Sequence, residues 1–145
     1  LDLPTRSLQT TAVWWTIPDN TLAAAGLGDT DLPGAAHAAE HASIGILPLF
    51  ATCSRWDIGG VSTANHADTG QLTVFVHDGY PGGAGFAERG FTVAEEWLTS
   101  TREAIAACQC AEGCPSCVQS PKCGNQNHPL DKSGALSLLN LLPPA

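Results

Sequence analysis

Cys108-Gln109-Cys110-Ala111-Glu112-Gly113-Cys114-Pro115-Ser116-Cys117 sets four thiols at the spacing C-x-C-x3-C-x2-C, and Cys123 stands beyond five further residues. Spacings this short bring several sulfurs to one ion. Zinc takes thiolates in a tetrahedral shell with sulfur at about 2.3 Å. Gly113 and Pro115 help the backbone turn between ligands. Disulfides within the run would be poor, because C-x-C closes a strained ring and isolates little of the chain. Spacing alone also admits reduced or redox-active thiols, or an iron–sulfur cluster. Five thiols compete for four places. A closed four-thiolate shell has no open position for substrate, so one structural zinc per chain is expected, folding the domain without catalysing.

Working outward, the sixth cysteine, Cys53, stands alone. The chain has 145 residues and is 43% hydrophobic, enough for its own core, which excludes global disorder. It has no need of disulfide staples, and its bunched thiols suit a metal site in a reducing compartment. No stretch approaches the roughly 20 apolar residues of a membrane helix. Leu1-Asp2-Leu3-Pro4 lacks the pattern of a signal peptide, and the chain contains no Met, so a domain cut from a longer chain is expected.

Charge bears on partners. Fourteen acidic against six basic residues give a formal net charge of −8, carried entirely by residues 1–107; residues 108–145 are neutral. A basic footprint for nucleic acid is missing. Any DNA contact must use a local surface or rely on another part of a larger protein. The neutral segment offers Lys122, Asn125, Asn127 and Lys132, whose ammonium and amide groups could meet phosphate or base edges.

The rest of the chain reads as α+β, a small mixed sheet flanked by helices. Residues 8–17 and 71–78 read as strands, the second an apolar run suited to a buried position. Residues 49–63 read as a strand followed by a turn at Gly59-Gly60. Pro33-Gly34 opens a helix that Pro48 stops, and further helices are expected over 84–90, 92–107 and 132–142, the last capped by Asp131. A short helix capped by Asp19 or Asn20 precedes them. The chain is read as one accessory domain over 1–145, with a body over 1–107 and the knuckle and last helix over 108–145.

Residues 108–132, CQCAEGCPSCVQSPKCGNQNHPLDK, resemble the C-terminal zinc-binding domain of the mitomycin-repair helicase family, a group of superfamily 2 DNA helicases. The similarity continues upstream through Leu8-Gln9-Thr10-Thr11, His37-Ala38-Ala39-Glu40-His41, Asp57-Ile58-Gly59-Gly60 and Asp78-Gly79-Tyr80-Pro81-Gly82-Gly83-Ala84-Gly85. The resemblance implies a four-cysteine zinc site appended to an ATP-driven 3′–5′ helicase core active in DNA repair. It implies Cys108, Cys110, Cys114 and Cys117 as ligands, with Cys123 spare or an alternative ligand. It also implies motor domains of the same polypeptide and DNA as partners, no membrane, and a bacterial cytoplasm. No G-x-x-x-x-G-K-[ST] phosphate loop is present, so this chain alone is expected neither to bind ATP by that route nor to translocate.

Other constellations compete. His37-Ala38-Ala39-Glu40-His41 matches H-x-x-E-H, and on a helix His37 and His41 could share a metal with Glu40 as general base, as in a zinc metallohydrolase. Asp57, His77 or Asp78 would then supply a third ligand. The plainer expectation is a packed, hydrogen-bonded pair whose removal leaves zinc content unchanged. Gly82-Gly83-Ala84-Gly85 could cradle a phosphate, but without G-x-G-x-x-G it is read as a tight turn with close strand–helix packing. Asp57 and Asp78 are read as turn caps rather than a catalytic pair. Of Trp14, Trp15, Trp56 and Trp97, at most one is expected to be exposed. A protein-docking module without a nucleic-acid role stands as a further alternative.

Overall fold

Leu72–Asp78, the apolar run, forms the central strand β3 of a computed structural model that describes residues 8–27, 31–123 and 126–142. β1 (Ala12–Ile17) and β2 (Ile58–Thr63) pair on either side of it in the order β1-β3-β2. Both pairings are antiparallel, with Trp15 opposite Val74 and Gly60 opposite Val76. The sheet is thus more regular than the mixed one expected. Strand 1 is also shorter than residues 8–17; ahead of it the Thr11 carbonyl accepts from Asp78 N–H at the end of β3, and the Thr10 hydroxyl donates to the carbonyls of Asp78 and Tyr80.

The helices are α1 (Asp19–Ala24), α2 (Leu32–Ile46), α3 (Phe86–Thr92), α4 (Ala94–Ala107) and α5 (Lys132–Leu141). None is long and apolar enough to cross a membrane among the described residues. Helix α2 is buried almost all round, as a helix with apolar residues on every face must be. Its small residues let three neighbours approach. Ala35 and Ala36 meet Ile17, Leu72 and Val74 of the sheet, together with Leu138 of α5. Ala38, Ala39 and Ala42 pack with Ile105 of α4, Leu139 of α5 and the knuckle residues Cys117 and Val118. Ile44 joins Ile58, Val76 and Trp97, whose indole N–H donates to the Ser43 carbonyl at 2.9 Å.

Two caps of the same design bring α2 and α5 together. The Asp31 side chain accepts from Gly34 N–H and the Asp131 side chain from Gly134 N–H, as expected for Asp131. Asp131 N–H then donates to the Gly34 carbonyl at 3.0 Å. Helix α1, by contrast, starts at Pro18 with no side-chain cap; Asp19 lies inside its first turn.

Gly59-Gly60 is not a turn. Both residues lie within β2, and a methyl group there would stand 2.8 Å from His77 Cε1 at Gly59 and 2.7 Å from Glu40 Cγ at Gly60. The glycines exist to let side chains cross the strand. The tryptophan expectation also fails: Trp14 and Trp56 are 57% and 63% exposed, while Trp97 is buried. Trp14 lies on the sheet face opposite α2, beside Phe75 at 5.9 Å.

Candidate metal centre

Helix α4 ends at Ala107 and delivers Cys108 and Cys110 in irregular backbone; Cys114 and Cys117 follow in a tight turn in which Cys117 N–H bonds the Cys114 carbonyl. The four sulfurs converge. Sγ–Sγ separations are 3.6 Å for Cys108–Cys110, 3.4 Å for Cys108–Cys114, 3.5 Å for Cys110–Cys117 and 3.9 Å for Cys114–Cys117. A tetrahedral ion with sulfur at about 2.3 Å requires edges of about 3.8 Å. The donor set therefore fits zinc in both chemistry and size. The core anchors it, since Cys117 is buried among residues of α2, α4 and α5.

The electrostatics differ across the cluster. Burial pushes the Cys117 thiol up to about 12. The ammonium of Lys132, hydrogen-bonded to Cys110, pulls that thiol down to about 6. Lys132 Nζ donates to Cys110 Sγ at 3.1 Å and to the carbonyls of Cys108 and Cys110 at 2.8 and 2.6 Å. A lysine in the first turn of a helix opposes the helix dipole. Its place here is explained by the knuckle, whose four thiolates on a dication would leave two negative charges. Lys132 was expected among DNA contacts; it is turned inward and buried instead. Replacing Lys132 with Met, which keeps the stem and removes the charge, should weaken zinc retention by roughly 10–100-fold in a chelator competition, the scale of outer-shell metal partners. Retention equal to the parent chain would deny it that role.

The other proposed DNA contacts are similarly engaged. Lys122 Nζ donates to the carbonyls of Arg55 and Ile58 and lies 5.8 Å from the Trp56 ring centroid. Asn127 Oδ1 accepts from Ser120 N–H at 2.6 Å, closing the loop after the knuckle. Asn125 lies outside the described residues. The lysines' partners lie 22 to 67 residues away and have no local signal, whereas that of Asn127 is seven residues upstream.

Two rival constellations resolve into structure. The Asp78 carboxylate, fully buried, accepts from the N–H groups of Ala84, Gly85 and Ala87 at 2.6, 3.0 and 2.8 Å. Donors that a phosphate would need are thus already taken, and the Gly-rich loop serves to wrap this carboxylate. Gly83, at φ +88°, has no room for a side chain beside Thr11. Asp57 caps the short helical turn over residues 55–57 and accepts the Tyr80 hydroxyl, which lowers its pKa. Both carboxylates are engaged in hydrogen bonds within the fold. Cys123 stands apart from the four-cysteine cluster, near His37.

A family model described as the MrfA Zn-binding domain matches residues 39–118, which include all four clustered cysteines and end before Cys123. An uncharacterized protein of Methanocaldococcus jannaschii is 38% identical over 109 residues, covering 73% of this chain and 97% of that protein. The ATP-dependent helicase YprA of Bacillus subtilis is 34% identical over 122 residues, covering 81% of this chain and 15% of the helicase. The crystal structure of the DUF1998 helicase MrfA bound to DNA superposes with a TM-score of 0.67 at 31% identity, over 99% of this chain and 18% of that one.

Proposed function

This chain belongs to the MrfA Zn-binding domain family, and we propose that Cys108, Cys110, Cys114 and Cys117 hold one structural zinc in a non-catalytic accessory domain of an ATP-dependent 3′–5′ DNA helicase acting in repair. The observation that carries this reading is the likeness over 99% of the chain to a helicase crystallised on DNA. Residues 1–145 are then one accessory domain, with the knuckle docked on the α+β body. ATP binding, translocation and most of the electrostatic grip on DNA belong to motor domains, in keeping with the charge of −8 here. A bunched thiol set suited to a metal supports a reducing, cytoplasmic setting. DNA contact through Lys122 and Lys132 is not part of this reading, because their ammonium groups are committed within the domain.

A second reading rests on size. The 109 matched residues make up 97% of the archaeal relative, so a domain of this kind also makes up nearly the whole of a shorter protein. There the motor would be a separate polypeptide. One experiment addresses both. Grafting this chain in place of the matching 15% of the Bacillus relative should preserve DNA-dependent ATP hydrolysis and unwinding. The domain-deleted helicase should lose unwinding, and adding this chain in trans should restore it only under the second reading. A graft and a mixture that are both as inactive as the deletion would refute the accessory role.

A further inference from the structure

Helix α2 and the loop after the knuckle bring together a second set of metal-ligating atoms, separate from the four-cysteine cluster. His37 and His41 lie one helical turn apart with ring centroids 4.2 Å from each other. His37 Nδ1 is 2.8 Å from the Pro129 carbonyl, and His41 Nδ1 is 2.8 Å from the Val118 carbonyl. A carbonyl can only accept, so both Nδ1 atoms carry the proton, and in the neutral ring that leaves Nε2 as the ligand atom. That is the device by which metal-binding histidines are oriented. Cys123 Sγ completes the set, 3.6 Å from His37 Nε2, and the ligand atoms of all three residues lie within 4.8 Å of one another. A tetrahedral zinc with nitrogen at about 2.05 Å and sulfur at about 2.3 Å requires a nitrogen–sulfur edge of about 3.6 Å.

We propose that His37, His41 and Cys123 form a second zinc site of the open, three-ligand kind, with its fourth position facing a cavity of about 460 Å³. The mix of imidazole and thiolate selects zinc over magnesium or calcium. A small oxygen ligand, water in the first instance, fills the fourth position. Glu40 lines the same cavity and supplies its carboxylate, held over Gly60, where the lack of a side chain leaves it room. Lys122, also on the cavity wall, does not compete as a cation because its ammonium is bound to the carbonyls of Arg55 and Ile58. The packed, hydrogen-bonded histidine pair is present as expected, and the proposal departs from that expectation only in giving the pair a metal. Helical spacing placed the two rings together but could not show the cysteine 86 residues from His37.

The test is metal content of the whole chain after reloading with zinc and removal of excess, with a cobalt-loaded sample alongside. The parent chain should hold two equivalents. Cys123→Ser, and His37→Ala with His41→Ala, should each hold one, and the cobalt spectrum of each should keep the intense sulfur-to-cobalt absorption of a tetrathiolate site while losing the weaker component. If the double histidine variant does not fold, Cys123→Ser decides alone, since that side chain is only partly buried. One equivalent in the parent chain, or two in Cys123→Ser, overturns the site.

Discussion

Cys117→Ser should cost the chain the zinc of its four-cysteine centre and detach the knuckle from the body. A serine hydroxyl stays protonated at neutral pH and is a poor zinc ligand, so the shell falls to three thiolates. Structural zinc contributes about 10–16 kcal/mol in small zinc-folded units, against about 5–15 kcal/mol for the net stability of a whole domain. Even part of that loss exceeds what a single contact supplies. The position makes the effect worse, because Cys117 and Val118 pack against α2, α4 and α5 in one cluster. Hydrogen exchange should rise steeply over residues 108–123 and along α5, and elemental analysis should show one zinc fewer than in the parent. A chelator acting on the parent chain should reproduce the change. Full zinc content and unchanged exchange in Cys117→Ser would show that another thiol holds that place.

Asp78→Ala carries the second large effect. The side chain is wholly buried and three backbone N–H groups depend on it, those of Ala84, Gly85 and Ala87. Alanine leaves the buried Ala87 N–H without a partner and removes the acceptor of the part-buried Ala84 and Gly85 N–H groups, at up to about 1–3 kcal/mol for each group left unsatisfied. Partial relaxation of the loop brings the total to about 3–5 kcal/mol, or roughly 10–15 °C in melting temperature for a chain of this size. Asp78→Asn retains one acceptor oxygen and should fall between. Melting curves of the three proteins decide the matter. An alanine variant as stable as the parent would mean that the Gly-rich loop holds its shape without the carboxylate.

What was legible in the sequence was what depends on neighbours along the chain. The spacing of Cys108 to Cys117 foretold a cluster, and the sulfurs do converge. Asp131 caps α5 as expected, since a cap needs only the next three residues. The apolar run over 71–78 became the central strand. The misreadings share one cause, a partner far away in sequence. Gly59-Gly60 looked like a turn because nothing local reveals that Glu40 and His77 will lie across it. Lys132 looked solvated because its three acceptors sit 22 to 24 residues upstream. Cys123, read as spare to the four-cysteine set, does stand outside it, but its place beside His37 had no local signal.

The central claim is that a zinc ion sits among the sulfurs of Cys108, Cys110, Cys114 and Cys117. The direct measurement is an anomalous difference map at the zinc absorption edge from crystals of the chain. A strong peak is expected about 2.3 Å from all four Sγ atoms. No peak at that position, or one in which Cys123 replaces any of the four, would contradict it.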